Sequence, residues 1–206
     1  MSAPARPLTI RAHEAQAIQA DRLSLIVRPM KRQPHYGRNG ILEIEHPRDG
    51  ALTQKYWLDY SPFGKPGDVL WCRETWGHDA PDLDACRRGV ESDGPHYGPY
   101  YAADADWFDN KTVKMLSPVT MPRWASRWSL RVIETGCKRV QEMTEAEAVA
   151  AACPAPDASW YPDGENAERA LSAICAFSAQ WDSDHGPGAW DRNEWVWTAR
   201  VERVEG

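Results

Sequence analysis

The apolar residues of this chain come in short runs that are broken often. Residues 24–28, 41–45, 56–60, 69–75, 128–134 and 195–201 form runs of five to seven residues. Most alternate apolar with polar positions or are rich in β-branched and aromatic side chains. Such a pattern marks a half-buried strand, because successive side chains on an extended backbone point to opposite faces. The 16 prolines and 14 glycines fall largely between the runs, where both residue types favour turns and loops. Strands this short and numerous predict a small β-barrel or a strongly bent sheet. No apolar run approaches the ~18 residues of a membrane span.

Helical patterns are fewer. An Ala/Gln/Glu-rich stretch predicts a helix over 12–20, after a short strand at 8–11. Thr144 with Glu147 three residues on makes a capping box and opens a second helix, which Pro154 ends. The clearest helix spans 165–181, where Ala167, Ala170, Leu171, Ile174, Phe177, Ser178 and Trp181 form one stripe. Gly186 and Gly188 break it, and the last helix is expected to cover an open end of the barrel. A further short strand is expected at 137–140. Residues 30–40, 61–68 and 154–164 read as loops or turns, and 77–110 as a long excursion whose first part, 77–99, is polar and Gly/Pro-rich. The expectation is one α+β domain over 1–206, its core at about 7–204, with insertions at 77–110 and 154–164.

Composition narrows the function classes. The net charge is −6 and the pI about 5.5. A protein that coats long duplexes needs a cation for each phosphate it contacts, so a local basic cleft is the form of nucleic-acid contact left open. The five cysteines have irregular spacing and no Cys-x-x-Cys pair, which reads as reduced core thiols rather than a zinc site. His78 with Asp79, Asp82 and Asp84 fits no closed metal site, and no pattern calls for a cofactor. Residues 1–7 hold no apolar signal core, so the expected location is cytoplasmic.

The run at 69–75 carries the most informative pair. Val69, Trp71 and Arg73 share one face, and Leu70, Cys72 and Glu74 share the other. Arg73 and Glu74 therefore cannot line one pocket together without a bulge. One of them is either a buried structural ion pair, with Arg127 as a candidate partner, or a ligand group at the barrel mouth. Arg123 and Arg127 flank Trp124, and planar guanidinium groups suit phosphate and base stacking. Arg28, Lys31, Arg32 and Arg38 form a second basic cluster, with His35 and Tyr36. Among the eleven tryptophans, Trp71, Trp128, Trp181 and Trp197 sit at core periodicity. Trp76, Tyr101 and Trp107 fall outside it and are the candidates for stacking on a base.

Four segments together carry a family likeness: PGDVLWCRETW at 66–76, MPRWASR at 121–127, TEAEAVA at 144–150 and WDRNEWVW at 190–197. In this order and spacing the chain resembles the phage and prophage branch of the ASCH domains, over residues 7–204. Glu194 departs from that pattern, standing where the family usually has proline. The resemblance implies a PUA-like barrel related to RNA-binding modules. Within the family some proteins hydrolyse acetylcytidine, and others are described as RNA-binding or as ribonucleases. Family amidohydrolases carry a Gly-Arg-Lys-Thr stretch after the first helix, which aligns here with Ala20-Asp21-Arg22-Leu23-Ser24. The catalytic lysine falls on Leu23, or on Arg22 with a one-residue slip, and the catalytic glutamate falls on Ala151. Leucine and alanine carry no charge, and arginine does not give up its proton, so neither catalytic position is carried over.

Three readings follow. The first is a module that binds a nucleotide, a modified base or a short single-stranded RNA in an Arg/Trp-lined cleft, without hydrolase activity. Its contact residues would be Arg22, Ser24, Arg28, Arg73, Glu74, Trp76, Tyr101, Arg123 and Arg127. The second is an amidohydrolase or ribonuclease working through Glu74 and Arg73. The third is a phage-encoded protein that blocks a host or defence complex. No membrane partner is expected.

Overall fold

The computed structural model describes residues 5–38, 40–46, 49–53, 57–91, 97–104, 113–152 and 172–204. The helix start expected at 165–171, the loop at 154–164, Cys153 and Trp107 lie outside the described residues. The architecture is α+β, with four α-helices and three sheets among the described residues. The strands include β1 (Arg6–Thr9), β2 (Leu25–Pro29), β6 (Val69–Arg73), β10 (Ser129–Arg139) and β11 (Trp195–Val204), with β1 beside β6 and, separately, the order β10-β11-β2. Among the described residues none of the three sheets closes on itself. No described helix is long and apolar enough to cross a membrane.

The chain divides into two compact units, one of residues 1–21, 69–130 and 203–206, the other of 22–68 and 131–202. In the first, β1 runs parallel to β6, with Pro7 opposite Trp71 and Thr9 opposite Arg73. The chain turns from β1 into helix α1 (Ala12–Gln19). Glu14 accepts a hydrogen bond from the Arg11 amide at 2.9 Å, which satisfies a donor that the helix itself leaves open. Ala15, Ala17 and Ile18 form its buried side. A small sheet orders β7 (Trp76–Gly77) between β8 (Tyr100–Tyr101) and β9 (Met115–Leu116). The polar excursion is not all loop, because helix α2 (Leu83–Glu91) lies within it. Asp82 accepts from the Ala85 amide at 2.7 Å and starts that helix. Only Cys86 and Gly89 of α2 are buried, too few to write an apolar stripe into the sequence.

In the second unit β2 pairs antiparallel with β11. Strands β3 (His35–Tyr36), β4 (Leu42–His46) and β5 (Gly50–Thr53) form an antiparallel meander. Residues 57–60 of the run expected as a strand are not one: Leu58–Tyr60 is a 3-10 turn that follows a helical Trp57, and Tyr56 lies outside the described residues. The two strands expected at 128–134 and 137–140 are the single strand β10. Gly136 permits this, since a Cβ there would meet the Thr198 hydroxyl at 2.8 Å. Helix α3 (Glu145–Ala150) opens on the expected capping box, with the Glu147 amide donating to Thr144 Oγ1 at 3.2 Å and the Thr144 amide to Glu147 at 2.9 Å. Lys138 holds the other Glu147 oxygen at 2.6 Å. Burial works to raise the Glu147 pKa, but the bonds from Lys138 and Thr144 outweigh it and hold the carboxyl below its usual range. Helix α4 (Ala173–His185) begins after an extended Ser172, whose hydroxyl accepts from the Cys175 amide, and ends at Gly186 with φ of 92°. Phe177 and Trp181 of α4 stack at 5.8 Å and pack with Leu25, Val27, Val140 and Val196 as the core of this unit.

Candidate functional site

Strand β6 sorts its side chains as its alternation requires. Leu70 and Cys72 are buried, while Val69, Trp71 and Arg73 are half-exposed. Glu74, just past the strand end, continues the buried series at 2% exposure. The segment 121–128 is laid against this strand end by short bonds. The Cys72 amide donates to the Trp128 carbonyl at 2.9 Å, and the Ser126 hydroxyl lies 2.8 Å from the Cys72 carbonyl. Arg127, between these two anchors, is thereby aimed at Glu74.

The guanidinium of Arg127 is almost saturated. Nε and Nη2 donate to the two oxygens of Glu74 at 3.0 and 2.8 Å. Nη1 donates to both oxygens of Asp104 at 2.9 and 2.8 Å. All three nitrogens of the group donate, in four bonds. Its central carbon also lies over two aromatic rings, 3.9 Å from the Tyr101 ring centroid and 4.0 Å from that of Trp128. Tyr101 is fixed in turn, its hydroxyl donating to the Ala125 carbonyl at 2.8 Å, and the Ala102 amide donates to the Thr75 carbonyl at 2.9 Å. Burial pushes the Glu74 carboxyl above the usual glutamate range, Arg127 only partly offsets this, and Asp104 adds to it. Burial likewise raises the Tyr101 phenol. Buried ion pairs of this kind are costly to break from either side.

Arg73 points the other way and is poorly held. Nη1 lies 3.5 Å from the Val119 carbonyl and Nη2 lies 3.4 Å from Thr9 Oγ1. Both contacts are at the long limit for N–H···O bonds. Nε is buried with no hydrogen-bond partner. Among the described residues no carboxylate pairs with Arg73; the ion pairs formed there belong to other cations. The Trp71 ring centroid is 5.6 Å from its guanidinium carbon. Trp71 is half-exposed, and Thr9 and Val119 are exposed.

The remaining sequence candidates fall as follows. Trp76 does not offer a face for stacking. It is 0% exposed, donates through Nε1 to Thr120 Oγ1 at 3.3 Å, and packs with Met121, Ala125 and Trp124. Tyr101 has given one face to Arg127. Arg123 is exposed and Trp124 half-buried, set edge-on to Trp76 at 6.4 Å. Arg22, Ser24 and Arg28 belong to the second unit. There Arg22 is exposed, the Ser24 backbone bonds to Ala150 and Val201, and Arg28 Nη1 donates to the Val27 carbonyl at 2.8 Å. Leu23 and Ala151 are both buried. Lys31, Arg32, His35, Tyr36 and Arg38 are exposed. Among the described residues no three His, Cys, Asp or Glu side chains converge to hold a metal ion. Cys72, Cys86, Cys137 and Cys175 form no disulfides.

Sequence reasoning missed Asp104 and Thr9. Neither belongs to a pattern, and each becomes visible only when a distant segment brings it to an arginine. The chain matches no protein-family model, and no curated protein or solved structure proved similar to it.

Proposed function

We propose that this chain is an ASCH-type, PUA-like binding module that holds a nucleotide, a modified base or a short single-stranded RNA, without hydrolase chemistry. The observation that carries this reading is the guanidinium of Arg73, which pairs with no carboxylate among the described residues, on the open face of β6 beside Trp71. A half-buried cation with no carboxylate partner is a receptor for an anionic or carbonyl group. An adjacent indole supplies the stacking surface that single-stranded ligands use, at ~1–3 kcal/mol per base. The net charge of −6 disfavours a long duplex and is compatible with a local contact. The resemblance of the four segments adds the fold and ligand class.

The enzyme reading has little support. Its only acid, Glu74, is 2% exposed and locked under Arg127, so it cannot reach a substrate proton as a general base must. The positions that the resemblance reserves for a catalytic lysine and glutamate hold buried Leu23 and Ala151. The test is a titration of the full chain with nucleotides, short single-stranded RNA and duplex DNA at two salt concentrations. Tighter binding of the single-stranded or nucleotide ligands, with a shallow salt dependence, is expected. Equal or tighter binding of duplex with a steep salt slope would contradict a local cleft. Turnover of acetylcytidine above ~1 s⁻¹, near the low end of ordinary enzyme rates, would contradict the absence of chemistry.

A further inference from the structure

We infer that Arg73 and Thr9 form an oxyanion subsite that takes one phosphate group, with Trp71 beside it for the attached sugar or base. This rests on the binding reading above and deepens it, since it makes the ligand a phosphorylated nucleoside rather than a free base or nucleoside. Paired residues of parallel strands present their side chains on the same face, so the β1–β6 register sets Thr9 with Arg73 and Pro7 with Trp71. This face holds a cation, a hydroxyl and a half-exposed indole, with Thr9 and Val119 open to solvent.

The bonding of Arg73 is what points to an anion. Its two contacts, at 3.5 and 3.4 Å, are with neutral oxygens, and Nε has no partner. A phosphate would replace these with charge-assisted bonds of about 2.7–2.9 Å, two of them parallel, which suits the planar fork. The Thr9 hydroxyl, already 3.4 Å from Nη2, stands within reach of the same anion. Arg73 and Trp71 are two residues apart on one strand, a separation of about 6.6 Å along the chain. A flat group joined to the phosphate therefore meets the indole without a change of backbone. With a single arginine, the subsite neutralises one phosphate rather than a row of them.

The experiment titrates the full chain with the four nucleoside 5′-monophosphates, the matching nucleosides and inorganic phosphate, by calorimetry. At least one monophosphate should bind about tenfold or more tightly than its nucleoside, as a charge-assisted bidentate contact allows. Arg73→Met should bring the two within about twofold, while Lys65→Met, which removes an exposed charge elsewhere, should leave the difference intact. Thr9→Val, a change at an exposed position, should weaken the monophosphate and not the nucleoside; it serves as the second variant if Arg73→Met does not fold. The salt slope for short single-stranded RNA should fall by about 0.7 in Arg73→Met, the value of one phosphate. Wild-type protein that binds nucleoside and monophosphate alike, or Arg73→Met and Thr9→Val that keep the difference, would overturn the subsite and leave the binding reading standing. Failure of nucleosides, nucleotides and short RNA all to bind would overturn both.

Discussion

Arg73 and Arg127 belong to the same unit of the molecule, on segments joined by the bond from the Cys72 amide to the Trp128 carbonyl. By sequence they are equivalent candidates, each an arginine in an aromatic setting. Their surroundings differ in every respect that governs function. Arg127 makes four hydrogen bonds to two carboxylates at 2.8–3.0 Å and lies over two aromatic rings. Arg73 has no carboxylate among the described residues, two contacts at the long limit and a buried Nε without a partner. The difference teaches that bond saturation separates an arginine that holds a fold together from one that can hold a ligand. Residue type and neighbours in the chain do not.

The largest effect should come from breaking the saturated side. Arg127→Met leaves Glu74 buried, and Asp104 beside it, with no cation, and removing one partner of a buried pair costs about 3–5 kcal/mol. Chemical denaturation of the variant measures this. Its pH dependence sharpens the test. Arg127 supplies the two influences that lower the Glu74 pKa, so without it that already raised pKa moves further up. A carboxyl whose folded pKa lies above its unfolded value holds more protons when native, and stability then falls as pH rises through that window. The variant should therefore lose more stability than wild type between mildly acidic and neutral pH. A loss that grows instead as pH falls would show that Glu74 is not the group left uncompensated.

The smallest effect should come from the unsaturated side. Arg73→Met removes a buried donor that has no partner, and such a group carries a penalty of about 1–3 kcal/mol. Part of that is recovered, and part is offset by lost packing on Trp71. The expected melting temperature is unchanged or slightly raised. A drop comparable to that of Arg127→Met would mean that Arg73 is a structural group after all.

How much of this was legible in the sequence depended on how local the cause was. The Thr144–Glu147 box could be read because both partners lie within one helical turn. The division of β6 into a buried and an open face could be read because alternation is a property of the strand alone. The run at 56–60 misled because five alternating residues fit a strand and a 3-10 turn equally. Its outcome follows instead from burial of Trp57, which meets the Trp195 ring edge-on at 5.4 Å. Two strands were expected at 128–134 and 137–140, but Gly136 lets one strand continue through its close approach to Thr198. Trp76 fell out of register with its strand and looked available, yet the small sheet with Tyr101 and Leu116 encloses it. The division between Arg73 and Arg127 was beyond the sequence, since it turns on Asp104 and Thr9, which lie 23 and 64 positions from the arginines they meet.

The most direct measurement is nuclear magnetic resonance of the arginine Nε–Hε groups, with resonances assigned by Arg73→Met and Arg127→Met or, if the latter is too unstable, Arg127→Lys. A nucleoside monophosphate and, separately, its nucleoside are titrated into the labelled full chain. The expected result is that the Arg73 signal shifts with the monophosphate and not with the nucleoside, while the Arg127 signal stays in place with both. A shift of Arg127 with Arg73 unmoved would contradict the assignment of an open and a closed arginine.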